Sequence, residues 1–203
     1  MSLENLNPQQ LQAVQHCEGP LIVVAGAGSG KTRVITCRIA HLIKEKGLPP
    51  ESILAITFTN KAAGEMKERV RTMLDLRGAH PWVSTFHSFC LRILRKHISE
   101  LGFSNDFAVY DAQDQLTLVK QCMKVAEISS DAFPPKSLLN LISGFKNDFL
   151  MPKDVEQDSM PYGNQFKAAS LYPVYQAALK KNNALDFDDL LVFAVRLFQE
   201  CPS

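Results

Sequence analysis

The stretch "PLIVVAGAGSGKTRV", residues 20–34, constrains this chain more than any other. Five aliphatic residues, Leu21 to Ala25, run into a turn carrying Gly26, Gly28 and Gly30, followed at once by Lys31 and Thr32. A short, uninterrupted apolar run of this kind reads as a strand buried on both faces. A glycine-rich turn from such a strand into a helix lets backbone N–H groups curl around phosphate oxygens, and the helix N-terminus adds the positive end of its dipole. Lys31 then reaches the β- and γ-phosphates while Thr32 offers its hydroxyl to Mg²⁺, which makes ATP and Mg²⁺ the expected cofactors. The expected ATP loop is Ala25, Gly26, Ala27, Gly28, Ser29, Gly30, Lys31 and Thr32, with Lys31 and Thr32 as the catalytic pair. The pattern GxxxxGK[ST] has glycine where this chain has Ala25, a position that shapes the entry turn and leaves phosphate binding intact.

Around this loop the pattern alternates. Ahead of it, Asn7 suits a helix N-cap, Pro8 the first helical position and Gln10 the third, with Leu6 and Leu11 spaced as a hydrophobic staple. After it, Val34, Ile35, Ile39, Leu42 and Ile43 recur at helical spacing. "ESILAITF" predicts a second strand, passing through Thr59 and Asn60 into a helix with Ala62, Met66, Val70 and Met73 inward. "WVSTF" predicts a third strand, leading into a helix from His87 to about Ile98. Strand and helix alternating in this way imply an α/β fold, a parallel sheet with helices on its faces. From about Phe107 to Asn183 no strong strand recurs, and helices broken at "FPPK", "MPKD" and "MPYGN" predict a mostly helical inserted subdomain.

Composition narrows the partners little. The 203 residues carry 22 Lys plus Arg against 21 Asp plus Glu, so any nucleic-acid site must be a local patch. The five cysteines are scattered without a CxxC pair, which supports neither a zinc site nor a disulfide framework and suits a reduced, cytoplasmic protein. The polar N-terminus lacks the apolar run of a signal peptide, and no run is long enough to span a membrane.

The segments flanking the loop are more specific. "LNPQQ" before it, "TFTNKAAGEM" after the second strand and "STFHSFCLRIL" after the third resemble the Q motif, motif Ia and motif Ib of UvrD/Rep/PcrA-type superfamily 1 DNA helicases. "LDFDDLL" also resembles a segment of that family, and the resemblance covers essentially the whole chain. It implies a P-loop NTPase (RecA-like) domain 1A over residues 1–107 and 183–203, ending before the Walker B strand, with a helical 1B-like subdomain over 108–182. It further implies the N-terminal part of an ATP-dependent 3′–5′ translocase serving DNA repair or replication. Its partners would be single-stranded DNA, the single-strand/duplex junction and a second RecA-like domain, with no membrane. The isolated fragment would then bind nucleotide and DNA without efficient turnover.

The same resemblance assigns individual residues. Gln10 would read the adenine edge; its alternative is the partner of Asn7 in a capping box, and sequence leaves the two even. Arg33 would pack its guanidinium on the adenine face. Phe58 would stack on an unpaired base, Thr59 and Asn60 would meet a phosphate at a helix N-terminus, and Thr85 and His87 would occupy the matching place after the third strand. Phe86 is expected in the core, and Lys61, Lys67, Arg92 and Arg95 on solvated helix faces. A small kinase and a non-catalytic nucleotide- or DNA-binding module are the alternatives; a kinase would have no use for motifs Ia and Ib.

Asp186, Asp188 and Asp189 invite reading as a magnesium site. Yet "KKNNAL" before them is polar, and Phe187, Leu190, Leu191, Ala194, Leu197 and Phe198 fall at helical spacing. Asp186 is therefore expected as an N-cap, with the other two carboxylates in the first turn. The true acidic pair is expected on a strand after Ser203.

Overall fold

A computed structural model describes residues 5–74, 78–157 and 160–201; the outermost residues of the expected domain, 1–4 and 202–203, lie outside this range. The chain divides into two compact units, Met1–Phe86 and His87–Ser203.

The first unit holds α1 (Pro8–Gln15), α2 (Lys31–Lys44), β1 (Leu54–Thr57), α3 (Asn60–Met73) and β2 (Trp82–Thr85). Helix α1 starts where the sequence says it should. Asn7 Oδ1 accepts from the Gln10 backbone N–H at 2.8 Å, and Gln10 Oε1 accepts from the Asn7 N–H at 3.0 Å, closing the capping box. Strands β1 and β2 pair in parallel, with Ala55 opposite Val83 and Thr57 opposite Thr85. Ile39 and Ala40 of α2, Ala55 of β1, and Met66 and Val70 of α3 form one buried cluster with Leu74. On α3 it is Ala63 rather than Ala62 that is buried, one position round the helix from the expected face.

The first expected strand does not form. Residues 20–25 carry no strand pairing, and Ile22 and Val24 are 88% and 93% exposed. Its alternation of half-covered Leu21 and Val23 with bare Ile22 and Val24 shows an extended segment lying on the unit by one side only. A strand buried on both faces needs neighbours on both edges and cover above and below; among the described residues no strand pairs with it, and cover comes from one side only. Composition specified the strand's propensity; its partners are a separate requirement.

The second unit holds α4 (Phe86–His97), β3 (Ala108–Val109), α5 (Ala112–Val125), α6 (Pro135–Asn147), α7 (Asn164–Lys181), β4 (Ala184–Leu185) and α8 (Phe187–Glu200), with the junction residue Phe86 opening α4. Two cores fill it. Leu118, Met123, Leu138, Ile142, Leu171 and Tyr175 centre one. Leu94, Ile98, Phe107, Leu185, Phe193 and Leu197 centre the other. The two-residue strands β3 and β4 pair in parallel between them, Val109 opposite Leu185. The break expected at "MPKD" falls outside α5, α6 and α7, while "FPPK" and "MPYGN" run up to helix starts, giving α6 its first residues, Pro135 and Lys136, and α7 its first, Asn164. The whole is a mixed α/β protein with small parallel sheets, and among the described residues no helix is long and apolar enough to cross a membrane.

Candidate nucleotide- and DNA-binding sites

The glycine loop is held from several sides. Gly28 and Gly30 have φ of 74° and 85°, left-handed conformations that a side chain would strain, and Gly30 is the N-cap of α2. Ser29 Oγ donates to the Gly26 carbonyl at 2.7 Å. Lys31 turns its ammonium back on the loop, donating to the carbonyls of Ala25 at 3.0 Å and Gly26 at 2.6 Å. A phosphate entering the loop would compete with those carbonyls for the same cation. Thr32 is exposed in the first turn of α2, a turn free of acidic residues, so its hydroxyl and the helix's first amides are open to an anion and its counter-ion.

Gln10 forms one of its two expected contacts and adds a further one. It does form the capping box with Asn7, and its Nε2 also donates to the Ser29 carbonyl at 2.9 Å. Arg33 is half-buried, and its Nε is enclosed without a hydrogen-bond partner.

For a nucleic acid, the ends of β1 and β2 are informative. Phe58 follows β1 and is 92% exposed, with its ring 6.2 Å from that of Phe86. Phe86, expected in the core, is itself 48% exposed at the first position of α4. Thr59 caps α3, its hydroxyl accepting from the Ala62 N–H at 3.1 Å, and Asn60 is exposed in a first turn free of acid. Thr85 is buried at 7% exposure, which takes its side chain off the surface.

In the second unit His87 stacks on Phe187, ring centroids 4.0 Å apart and planes at 21°. Burial lowers the His87 pKa below the ordinary histidine value, against the opposing pull of Asp188, so the ring is mainly neutral near pH 7. Phe187 is 53% exposed. The sequence placed Phe187 on the apolar face of its helix; the signal against this was its position in the first turn, ahead of the stripe that starts at Leu190. Arg95 does more than the expectation of a solvated helix face required. It is exposed, as expected, and it also lies over the Phe107 ring at 4.1 Å and donates to the Asn105 carbonyl at 3.1 Å, tying α4 to the following loop.

The acidic cluster is structural. Asp186 caps α8, its Oδ1 accepting from the Asp189 N–H at 2.9 Å. Lys146 of α6 reaches both carboxylates, at 2.6 Å to Asp186 and 2.8 Å to Asp189. Tyr175 donates to Asp186 at 3.0 Å, and Gln176 donates to both oxygens of Asp189 at 3.2 Å. Burial and the neighbouring Asp186 charge push the Asp189 carboxyl up to about 6, outweighing the lowering pull of Lys146. Burial lowers the Lys146 pKa, but the two carboxylates overcome this and hold it above the usual lysine value. With their oxygens so occupied, Asp186 and Asp189 are not open to a metal. Among the described residues no group of three or more His, Cys, Asp or Glu is arranged to hold one.

Helices whose first turns lack acid follow both the glycine loop and β1, in a protein of the mixed α/β class. The chain belongs to the family described as UvrD/REP helicase N-terminal domain, whose model matches residues 6–203. It is 44% identical over 200 residues to the ATP-dependent DNA helicase PcrA of Staphylococcus aureus (strain NCTC 8325 / PS 47). The protein of that name from Staphylococcus epidermidis (strain ATCC 12228 / FDA PCI 1200) matches to the same extent. Each alignment covers 98% of this chain and 27% of the relative, so the chain spans little more than a quarter of the length of these proteins.

Proposed function

We propose that this chain is the ATP-binding N-terminal part of an ATP-dependent DNA helicase that moves 3′ to 5′ on single-stranded DNA. The observation that carries this reading is the loop itself: a left-handed Gly30 at the head of α2, with Lys31 folded over the carbonyls that a phosphate chain would displace. The family membership and the PcrA relatives support the DNA substrate. In this reading residues 25–32 cradle the phosphates of ATP, Lys31 neutralises charge on the terminal phosphates, and Thr32 contributes a hydroxyl to Mg²⁺. Bound Mg²⁺ would supply charge neutralisation at the same oxygens.

Gln10 keeps one amide hydrogen and one lone pair unused, enough to meet the adenine edge, while Arg33 offers its planar guanidinium to the adenine face. Phe58 provides a stacking surface for a base and Asn60 a helix N-terminus for a phosphate; Thr59 and Thr85 shape the strand ends behind them. His87, backed by Phe187, supplies a second stacking surface.

The division into a RecA-like domain 1A, residues 1–107 and 183–203, and a 1B-like subdomain, 108–182, is supported by the second unit's two cores. One draws its buried residues from 118–184, the other from 90–107 and 185–197. A second RecA-like domain, the single-strand/duplex junction and a cytoplasmic place in DNA repair or replication follow from the helicase reading.

The test is ATP binding and hydrolysis by the chain, with and without single-stranded DNA, beside Lys31→Ala. Nucleotide binding by the wild type and at least a tenfold loss in Lys31→Ala is the expected result. Equal binding by both would remove the phosphate-loop assignment. Efficient DNA-stimulated turnover by this chain alone would remove the claim that further domains are needed.

A further inference from the structure

Gln10 lies 19 residues from Ser29 and joins α1 to the glycine loop through one hydrogen bond, Nε2 to the Ser29 carbonyl at 2.9 Å. The contact is close: a Cβ on Gly30 would sit 2.9 Å from Gln10 Nε2, so the amide would have to shift to admit one. The Gln10 side chain is not free to wander, because its Oε1 is fixed by the Asn7 N–H and its helix is closed by the reciprocal bond from Asn7 Oδ1. The backbone N–H of Asn7, which any non-proline residue at that position would keep, is therefore the mount that aims the amide at the loop.

What that bond does follows from the peptide unit. A trans peptide is planar, with its C=O and N–H pointing in opposite directions. Holding the Ser29 carbonyl toward α1 turns the Gly30 N–H away from α1. Gly30 sits at φ 85°, where glycine has wide conformational freedom, so the orientation of the Ser29–Gly30 peptide is otherwise weakly determined. The other tethers fall elsewhere on the loop: Ser29 Oγ and Lys31 Nζ bind the carbonyls of Ala25 and Gly26. Among these bonds, that from Gln10 alone takes the Ser29 carbonyl.

We propose that Gln10 is a positioning residue of the phosphate loop, setting the direction of the Gly30 N–H for any polyphosphate, whether or not a base is attached. This rests on the phosphate-binding reading of the loop. Reading the adenine edge and orienting the loop use different halves of the same amide, so the two roles are compatible and separable. A base-only role predicts loss for ATP alone. A loop role predicts loss for a ligand with no base.

The experiment uses the 203-residue chain and Mg²⁺-tripolyphosphate, with ATP alongside, both measured by calorimetry or by competition with a fluorescent nucleotide. Wild type, Lys31→Ala, Gln10→Ala, Gln10→Glu and Asn7→Ala are compared. Gln10→Ala is expected to weaken tripolyphosphate about fivefold, the scale of one net hydrogen bond, and ATP by at least as much. Gln10→Glu keeps the acceptor for Asn7 but places an oxygen against the Ser29 carbonyl, and is expected to be as weak or weaker. Asn7→Ala loosens the α1 cap while leaving Nε2 in place, and is expected to stay within twofold of wild type. The Gly30 amide resonance should shift in Gln10→Ala and not in Asn7→Ala.

Loss of ATP affinity in Gln10→Ala with tripolyphosphate unchanged would overturn the proposal, as would no change in either ligand. Equal losses in Asn7→Ala and Gln10→Ala would overturn it too, by assigning the effect to α1 stability. Failure of the loop reading looks different: tripolyphosphate would then bind wild type and Lys31→Ala alike.

Discussion

Lys146 and Asp186, forty residues apart, meet at 2.6 Å with their side chains 0% and 2% exposed. A lysine ammonium stripped of water is tolerated only where its charge is met, and here Asp189 completes the match at 2.8 Å. The three groups come from α6 and the start of α8, with Tyr175 and Gln176 of α7 closing the remaining sides. Removing the cation strands two buried carboxylates. Lys146→Met should therefore destabilise the chain by about 3–5 kcal/mol, read from the urea midpoint. Adding Asp186→Asn and Asp189→Asn should recover much of that loss, since the carboxylates no longer need a partner; no recovery would contradict this account.

The same network gives stability a pH dependence of known sign. Asp189 titrates near 6 in the folded chain against 3.8 for the free side chain, so the folded state holds the proton more tightly. That contribution is fully present below about pH 4 and is lost as pH rises through 6. Asp189→Asn is a permanent stand-in for the protonated form. The stability of wild type relative to Asp189→Asn should fall between pH 4 and pH 7, a difference in which the other acids cancel. A flat or rising difference would show that Asp189 is ionised throughout.

Gly30→Ala should damage the loop twice. The new Cβ would meet Gln10 Nε2 at 2.9 Å, and φ 85° is strained for alanine. The expected cost is about 1–2 kcal/mol of stability, seen by thermal unfolding, with nucleotide affinity reduced at least tenfold. Gly26→Ala meets open space in this structure, and its unfolding temperature should stay near wild type.

Phe58→Ala separates binding from folding. With 92% of the residue exposed, its loss should change stability by less than about 0.5 kcal/mol. Affinity for a mixed-sequence single strand should fall by about 1–3 kcal/mol if a base stacks there. Leu94→Ala, fully buried, should show the reverse: about 2–5 kcal/mol of stability lost, read by urea unfolding. Unchanged DNA affinity in Phe58→Ala would move the stacking site elsewhere.

Local features were legible in the sequence wherever the residues concerned are neighbours in the chain. The N-caps Asn7 and Asp186, the start of α2 after Gly30, and the breaks ahead of α6 and α7 depend on a few adjacent residues, and each stands where the pattern placed it. Features that depend on distant partners were not legible. "PLIVVA" has the composition of a central strand, but pairing depends on other segments. Phe86 and Phe187 look like core by type and are exposed by position. Arg95 reads as a surface cation and is one, but its seat over the Phe107 ring was not foreseeable from spacing. Gln10 shows both cases in one side chain: its bond to Asn7 was foreseeable from spacing, and its bond to Ser29 was not.

The uncovered segment from Leu21 to Val24 also sets how the chain behaves in bulk. Among the described residues no strand pairs with this stretch, and with Ile22 and Val24 bare it is a template for another strand that identical chains in solution also carry. Turbidity on concentration should therefore fall when Ile22 and Val24, beside the glycine loop, are made polar, even by uncharged residues that leave the net charge at +1.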